Sequence, residues 1–147
     1  MNGRQMEQCV ALVSCVKTKQ ERAAAAQDLY RSTLFTGMRR YAEQYADAWF
    51  ILSAEYGVLR PSQVIAPYER TLNTMRKPDR LAWASRVQQQ LLQVLPTGVT
   101  VVFLAGDRYR EHLVPFLKYH GFVTRVPMEG LPFGRQLSWL NEQTRNA

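Results

Sequence analysis

Four short apolar runs constrain the fold of this chain more than any other feature of its sequence. They are Gln8–Cys15 (QCVALVSC), Ala48–Ser53 (AWFILS), Val99–Ala105 (VTVVFLA) and Phe122–Val126 (FVTRV). Each is too short for a helix, and the first three are apolar on both faces of the pleat, as strands covered on both sides must be. Between them lie segments whose apolar residues recur every three or four positions. One starts after Ser32, a suitable N-cap, and runs to about Tyr45 with Leu34, Phe35, Met38, Tyr41, Ala42 and Tyr45 on its inner face. A second begins at Pro78-Asp79, where proline and an acidic residue suit a first turn. It continues to about Leu95 with Leu81, Ala84, Val87, Leu91, Leu92 and Leu95 facing inward. A third follows Gly106–Tyr109 and ends at His120, where Gly121 can close it; the last covers Gly134 to Thr144.

Strand and helix therefore alternate, which predicts an α/β fold. The expected architecture is a three-layer sandwich whose four-stranded parallel sheet carries helices on both faces through right-handed crossovers. At 147 residues the chain is expected to be one domain, 1–147. Two stretches lack a regular pattern. Val16–Gln27 is a long connection in which the Ala23–Ala26 run suggests a helical turn. Gly57–Met75 is broken by Pro61 and Pro67, yet Leu59, Val64, Ile65, Tyr68 and Leu72 carry too much apolar surface for disorder. An irregular but ordered binding loop is the expectation there.

Several function classes drop out. No apolar run approaches the roughly 18 residues of a membrane span and no signal-peptide pattern opens the chain, so the expectation is a cytoplasmic protein with no membrane partner. Phosphate-binding GxxxxGK and dinucleotide GxGxxG motifs are missing, as are CxxC and HExxH, so neither a nucleotide cofactor nor a metal is expected. Cys9 and Cys15 share one strand and are separated by roughly 20 Å of extended chain, too far for a disulfide. His112 and His120 fall within or at the end of a helix, which gives a Ser-His-Asp triad little support, and a cysteine ending a buried strand, as in Ser14-Cys15, is usually inert packing. Nineteen Lys and Arg against 12 Asp and Glu leave a net charge of +7, and most of the cations are arginine. Arginine suits bidentate phosphate contact, which points to a nucleic-acid or nucleotide partner.

In a parallel sheet the loops after the carboxyl ends of the strands bind ligands. That edge would collect Lys17 and Lys19 after the first strand, Glu55 and Tyr56 after the second, Asp107, Arg108 and Tyr109 after the third, and Glu129 after the fourth. Each residue also has a plainer reading: Glu55 in a solvated turn, Asp107 as a helix N-cap, Glu129 capping a turn, the tyrosines as half-buried packing. Their convergence favours chemistry. Carboxylates, aromatics and positive charge without a metal or histidine suit cleavage of an N-glycosidic bond, whose oxocarbenium-like transition state an anionic carboxylate stabilises. An extruded base needs an aromatic stacking face and polar groups reading its edge. The candidate carboxylates are Glu55, Asp107 and Glu129, with Glu55 first because it follows the most apolar strand and should enter a water-poor site. Tyr30, Tyr56, Tyr68 and Tyr109 are the candidate stacking platforms, Ser32 and Gln136 the edge readers, and Lys17, Arg31, Arg108 and Arg135 the phosphate contacts.

Six blocks carry a family resemblance: SCVKTK (Ser14–Lys19), DLYRSTLF (Asp28–Phe35), ILSAEYGVLRP (Ile51–Pro61), PYERTL (Pro67–Leu72), LAGDRY (Leu104–Tyr109) and EGLPFGRQLSWLN (Glu129–Asn141). The chain resembles a bacterial and phage family carrying a domain-of-unknown-function label, distantly similar to YaaA-like proteins and to domains of the uracil-DNA-glycosylase type. Members are similar to an anti-phage DNA glycosylase that excises glucosylated hydroxymethylcytosine from modified phage genomes. The resemblance implies a uracil-DNA-glycosylase-like fold, a double-stranded DNA partner bearing a modified base, and excision of that base in antiviral defence. The uracil enzymes carry a GQDPYH-like loop after the first strand and an HPS-like loop after the last. Here SCVKTK and PMEG occupy those places, so the catalytic residues rest on position. The alternatives are a nucleotide N-glycosidase or deoxyribosyltransferase, and a non-catalytic YaaA-like DNA-binding stress protein.

Overall fold

A computed structural model describes residues 8–14, 22–30 and 32–145. The Lys17, Lys19, Arg31 and Cys15 expectations lie outside the described residues. Strand β1 (Cys9–Ser14) is at the centre, flanked in parallel by β3 (Ala48–Ser53) and β6 (Thr100–Leu104), with Val10 opposite Ala48 and Val101. Beyond β6 lies β7 (Val123–Arg125), also parallel. These are the four expected strands, but the sheet holds a fifth. Strand β4 (Gly57–Leu59) turns back antiparallel on β3 at the outer edge, so the order is β4-β3-β1-β6-β7.

That fifth strand corrects the reading of Gly57–Met75 as irregular. Three residues are too few to show a period of two, and proline punctuation hid the rest. Gly57 adopts φ +78°, which makes the reversal sterically free, and Leu59 is buried in the core. Farther on, β5 (Val64–Ile65) pairs antiparallel with β2 (Ala24–Ala25) in a separate two-stranded sheet, and Leu72–Thr74 forms a 3₁₀ turn. The alanine run is accordingly not one helical turn: Ala24 and Ala25 are strand, and helix α1 (Ala26–Leu29) begins at its last residue.

Helix α2 (Thr33–Tyr45) starts where expected, Ser32 Oγ accepting the Phe35 amide at 3.0 Å. Helix α3 (Lys77–Val94) buries Trp83, Ala84, Val87 and Leu91; Leu81 and Leu92 lie off that stripe and are exposed, as is Tyr45 on α2. The single helix expected after Gly106 is two, α4 (Asp107–Arg110) and α5 (Leu113–Tyr119). Pro115 is the physical reason. It has no amide to give the Glu111 carbonyl and its ring crowds that group, so the helix breaks one turn earlier. Helix α6 (Phe133–Thr144) closes the described chain.

Side chains of the central strands alternate between two cores. Val10, Leu12, Phe50, Leu52, Val101 and Phe103 meet α3, α4 and α5, whereas Ala11, Val13, Ile51, Val102 and Leu104 meet α2 and α6. The sheet is thus mostly parallel with helices on both faces. The first helix described after β1, α1, packs in the α2 layer through Ala26 and Leu29, whereas α4, which follows neighbouring β6, packs in the other layer through Tyr109. Adjacent strands whose continuations part to opposite faces open a crevice between their carboxyl ends, and in open α/β sheets that is where ligands bind. No helix among the described residues is long and apolar enough to cross a membrane.

Candidate functional site

A cleft of about 770 Å³ occupies this point of divergence. Ser14 ends β1 at its floor. Ala105, Gly106, Asp107, Tyr109 and Arg110 come from the β6–α4 turn, Ser32, Leu34 and Met38 from the start of α2, and Asn73 from the 3₁₀ turn. The remaining wall is the loop after β7 and the first turn of α6, contributing Val126, Met128, Gly130, Leu131, Pro132, Phe133 and Gln136. The lining is mainly apolar with a few convergent polar groups, and both its size and its character suit a nucleotide-sized ligand.

The polar groups are held by specific contacts. Gly106 donates its amide to Ser14 Oγ at 3.4 Å, tying the ends of β1 and β6 together at the cleft floor. The Arg110 guanidinium is largely buried, its side chain 15% exposed. It donates to the Ala105 carbonyl at 2.8 Å and pairs with Asp107 Oδ1 at 2.6 Å. Asp107 itself stands at the mouth, its side chain 88% exposed. Gly106 is the N-cap of α4 and Asp107 its first residue, with no capping bond from a side chain, so the N-cap reading of Asp107 does not hold. Gln136 donates Nε2 to the Leu131 carbonyl at 2.8 Å, which pins the loop after β7 against α6.

Of the expected residues, Ser32, Asp107, Tyr109 and Gln136 meet in the cleft. Tyr109 is buried, packs edge-on against Trp83 and accepts the Leu72 amide on its hydroxyl. Tyr30 is buried beside the cleft, its hydroxyl bonded to that of Tyr68; Tyr56 meets Tyr68 edge-on at 5.6 Å and is exposed. These three rings form an aromatic row outside the cleft lining. Glu129 is exposed on the loop between lining residues Met128 and Gly130, Arg108 is half exposed and pairs with Glu111 at 3.6 Å, and Arg135 is exposed on the first turn of α6. The expectation that Glu55 enters a water-poor site is corrected. It is exposed, 3.7 Å from Arg70, and outside the lining. The reason is β4: after Ser53 the chain folds back along the edge of the sheet, away from the β1–β6 divergence.

Sequence reasoning missed Arg110, Asn73 and Phe133. Arg110 carried a legible signal, since it lies one helical turn after Asp107, the spacing at which opposite charges meet. Nothing local marked Asn73, which reaches the site only because its 3₁₀ turn packs against α4. No group of three or more His, Cys, Asp or Glu able to hold a metal occurs among the described residues.

No solved structure matches the chain. The curated protein named "Uncharacterized protein YfjM" from Bacillus subtilis is 29% identical over 101 residues, which is 67% of this chain and 66%, just under two thirds, of that protein's length. A family model described as a family of unknown function (DUF6884) matches residues 10–142, nearly the whole chain, and the chain belongs to that family.

Proposed function

We propose that this protein is a DNA N-glycosylase that takes a modified base into the cleft between the ends of β1 and β6 and leaves an abasic site. The observation that carries this reading is the pairing, at the mouth of a mostly apolar cleft, of one carboxylate with a largely buried arginine. Apolar walls from α2 and the loop after β7 favour a base withdrawn from water, and Phe133, exposed on the lining, supplies the aromatic surface. Asp107 sits where the sugar of an extruded nucleotide would lie. There its charge stabilises the oxocarbenium-like transition state and orients the attacking water. The bond from C1′ to the base nitrogen breaks, the water oxygen bonds C1′, and the water's proton leaves with the base. Arg110 holds the carboxylate in place, and DNA covering the rim removes the water that surrounds it in the free protein, which strengthens its field.

Two sequence-level expectations belong to the same proposal. Four parallel strands between two helical layers agree with the kinship to uracil-DNA-glycosylase-type domains that the sequence blocks imply. The resemblance to an anti-phage enzyme directs the choice of substrate to naturally modified phage DNA, glucosylated hydroxymethylcytosine first. The test is to incubate such DNA with the protein and then treat it with alkali, which cleaves only at abasic sites. Wild-type protein should produce cleavage. Asp107→Asn should reduce it by about 10²–10³-fold, as loss of a principal electrostatic stabiliser does, and Glu55→Gln should stay near wild type. Intact DNA in every modified preparation, or a fully active Asp107→Asn protein, would end the proposal. An enzyme of free nucleotides is the second reading, favoured by a cleft large enough for a whole nucleotide; release of base from free modified nucleotides but not from DNA would select it.

A further inference from the structure

Ser14 is not the residue that folding alone requires at the end of β1. Side chains of a strand alternate, and by that alternation Ser14 follows the buried Val10 and Leu12 on the face that meets α3, α4 and α5. An apolar residue would continue the core there. A hydroxyl sits at the cleft floor instead, in a residue only 7% exposed. Burying a hydroxyl costs free energy unless its hydrogen-bonding capacity is used. Other buried hydroxyls have work inside the protein. Thr144 Oγ1 donates to the Leu140 carbonyl at 2.8 Å. Ser53 Oγ accepts the Glu55 and Tyr56 amides at 3.2 and 2.9 Å, which holds the turn into β4. Ser14 Oγ has one bond among the described residues, the Gly106 amide at a long 3.4 Å, and none of these residues accepts its proton.

The direction of that proton follows from the bond the oxygen already makes. With its oxygen turned to the Gly106 amide, the hydroxyl points its hydrogen away from the β6–α4 turn, and the open space on that side is the cleft. Accepting one hydrogen bond also polarises the hydroxyl and strengthens it as a donor. The other donors on the lining are held or exposed: Arg110 and Gln136 Nε2 have protein partners, and Asn73 is exposed on the 3₁₀ turn. Gly106 immediately precedes Asp107, so a nucleotide whose sugar meets Asp107 sets the first atoms of its base over Ser14.

We infer that Ser14 is a catalytic residue whose O–H donates to the base at the carbonyl oxygen beside the glycosidic nitrogen, which in a modified cytosine is O2. This rests on reading the cleft as a glycosylase site. When the bond from C1′ to the base nitrogen breaks, its electron pair passes to the base and spreads onto that oxygen. Asp107 meets the positive charge growing on the sugar, and Ser14 meets the negative charge growing on the base. Ser14 keeps its proton throughout; the departing base takes its own from the attacking water. A buried donor left unspent in the free protein is what such a role needs, because its hydrogen bond is then made in full only as charge develops.

The test is single-turnover base release by the full chain from duplex DNA carrying glucosylated hydroxymethylcytosine. Duplex affinity, by fluorescence anisotropy, and melting temperature are measured on the same proteins. Ser14→Ala should release base about 10²-fold more slowly, as loss of one well-placed donor does. Its affinity and melting temperature should stay at wild-type values, because Gly106 is exposed and its amide can turn to water. Ser14→Thr keeps the hydroxyl and should recover most of the rate. A Ser14→Thr protein that melts like wild type yet is as slow as Ser14→Ala overturns the inference. A joint fall of rate, affinity and melting temperature in Ser14→Ala also overturns it, since Ser14 would then only tie β1 to β6. Base release by Ser14→Ala at the wild-type rate removes Ser14 from the chemistry and leaves the glycosylase reading standing. No release by the wild-type protein from any modified DNA overturns both.

Discussion

Gly57→Ala should be among the most costly single-methyl substitutions in the chain, and its cost can be divided into two physical parts. The first is backbone: Gly57 has φ +78°, a region that costs a residue with a Cβ about 1–2 kcal/mol. The second is a collision. A Cβ built at Gly57 would lie 2.3 Å from Gln90 Oε1, which must move. That oxygen accepts the Val58 amide at 2.9 Å, so displacing it leaves a partly buried donor without its partner, at about 1–2 kcal/mol. The total is about 2–4 kcal/mol. Gly98→Ala is the reference, because its φ of +71° incurs the same backbone cost while nothing lies within 4 Å of the added Cβ. Urea unfolding should place Gly57→Ala about 1–2 kcal/mol below Gly98→Ala in stability. In a Gln90→Ala background, where the amide bond is already lost, Gly57→Ala should fall to the Gly98→Ala cost, and the difference between backgrounds measures the coupling. Equal costs for Gly57→Ala and Gly98→Ala, or the same Gly57→Ala cost with and without Gln90, would refute the reasoning.

Two further outcomes follow from single contacts. Trp83→Phe removes the bond from the buried indole Nε1 to the Ser53 carbonyl at 2.9 Å and should destabilise the protein by about 1–3 kcal/mol in denaturant unfolding, an unchanged midpoint being the contrary result. Burial, reinforced by the nearby Cys9 and Tyr45, raises the Tyr41 phenol above its ordinary value of 10.0. The neutral phenol is the form the folded state favours, so this contribution is complete below pH 10 and disappears as the pH climbs through the raised value; Tyr41→Phe should lose less stability than wild type over that alkaline range, as thermal melts at stepped pH would show.

The sheet was legible in the sequence where strands are covered on both faces. β1, β3 and β6 are runs of Val, Leu, Ile and Phe that no other element accommodates, and Ser32 marked the start of α2 to the residue. What stayed hidden was short or depended on a distant partner. β4 has three residues, and β2 and β5 have two each, so no periodicity can announce them. Their stability comes from pairing across long separations, as when Ala26 and Gln27 donate their amides to the Gln63 and Pro61 carbonyls. The break between α4 and α5 was legible in principle, because Pro115 forbids the bond that would have carried one helix through Glu111.

For the site, strand order decided what sequence could reveal. Every strand end of a parallel sheet looks equally promising along the chain, and by apolarity alone the end of β3 looked best. Yet only neighbouring strands whose continuations leave toward opposite layers open a crevice, and neighbours are a property of the folded sheet. With β1 placed between β3 and β6, the crevice falls at Ser14 and Gly106, and the carboxylate nearest to it is Asp107. The same order puts Glu55 on the hairpin to an edge strand, where Arg70 and water suffice to satisfy it. Arg110 separates the two carboxylates further. A largely buried guanidinium is costly unless paired, so burying Arg110 beside the cleft commits the fold to keeping an anion at its mouth, and Asp107 fills that place in the free protein.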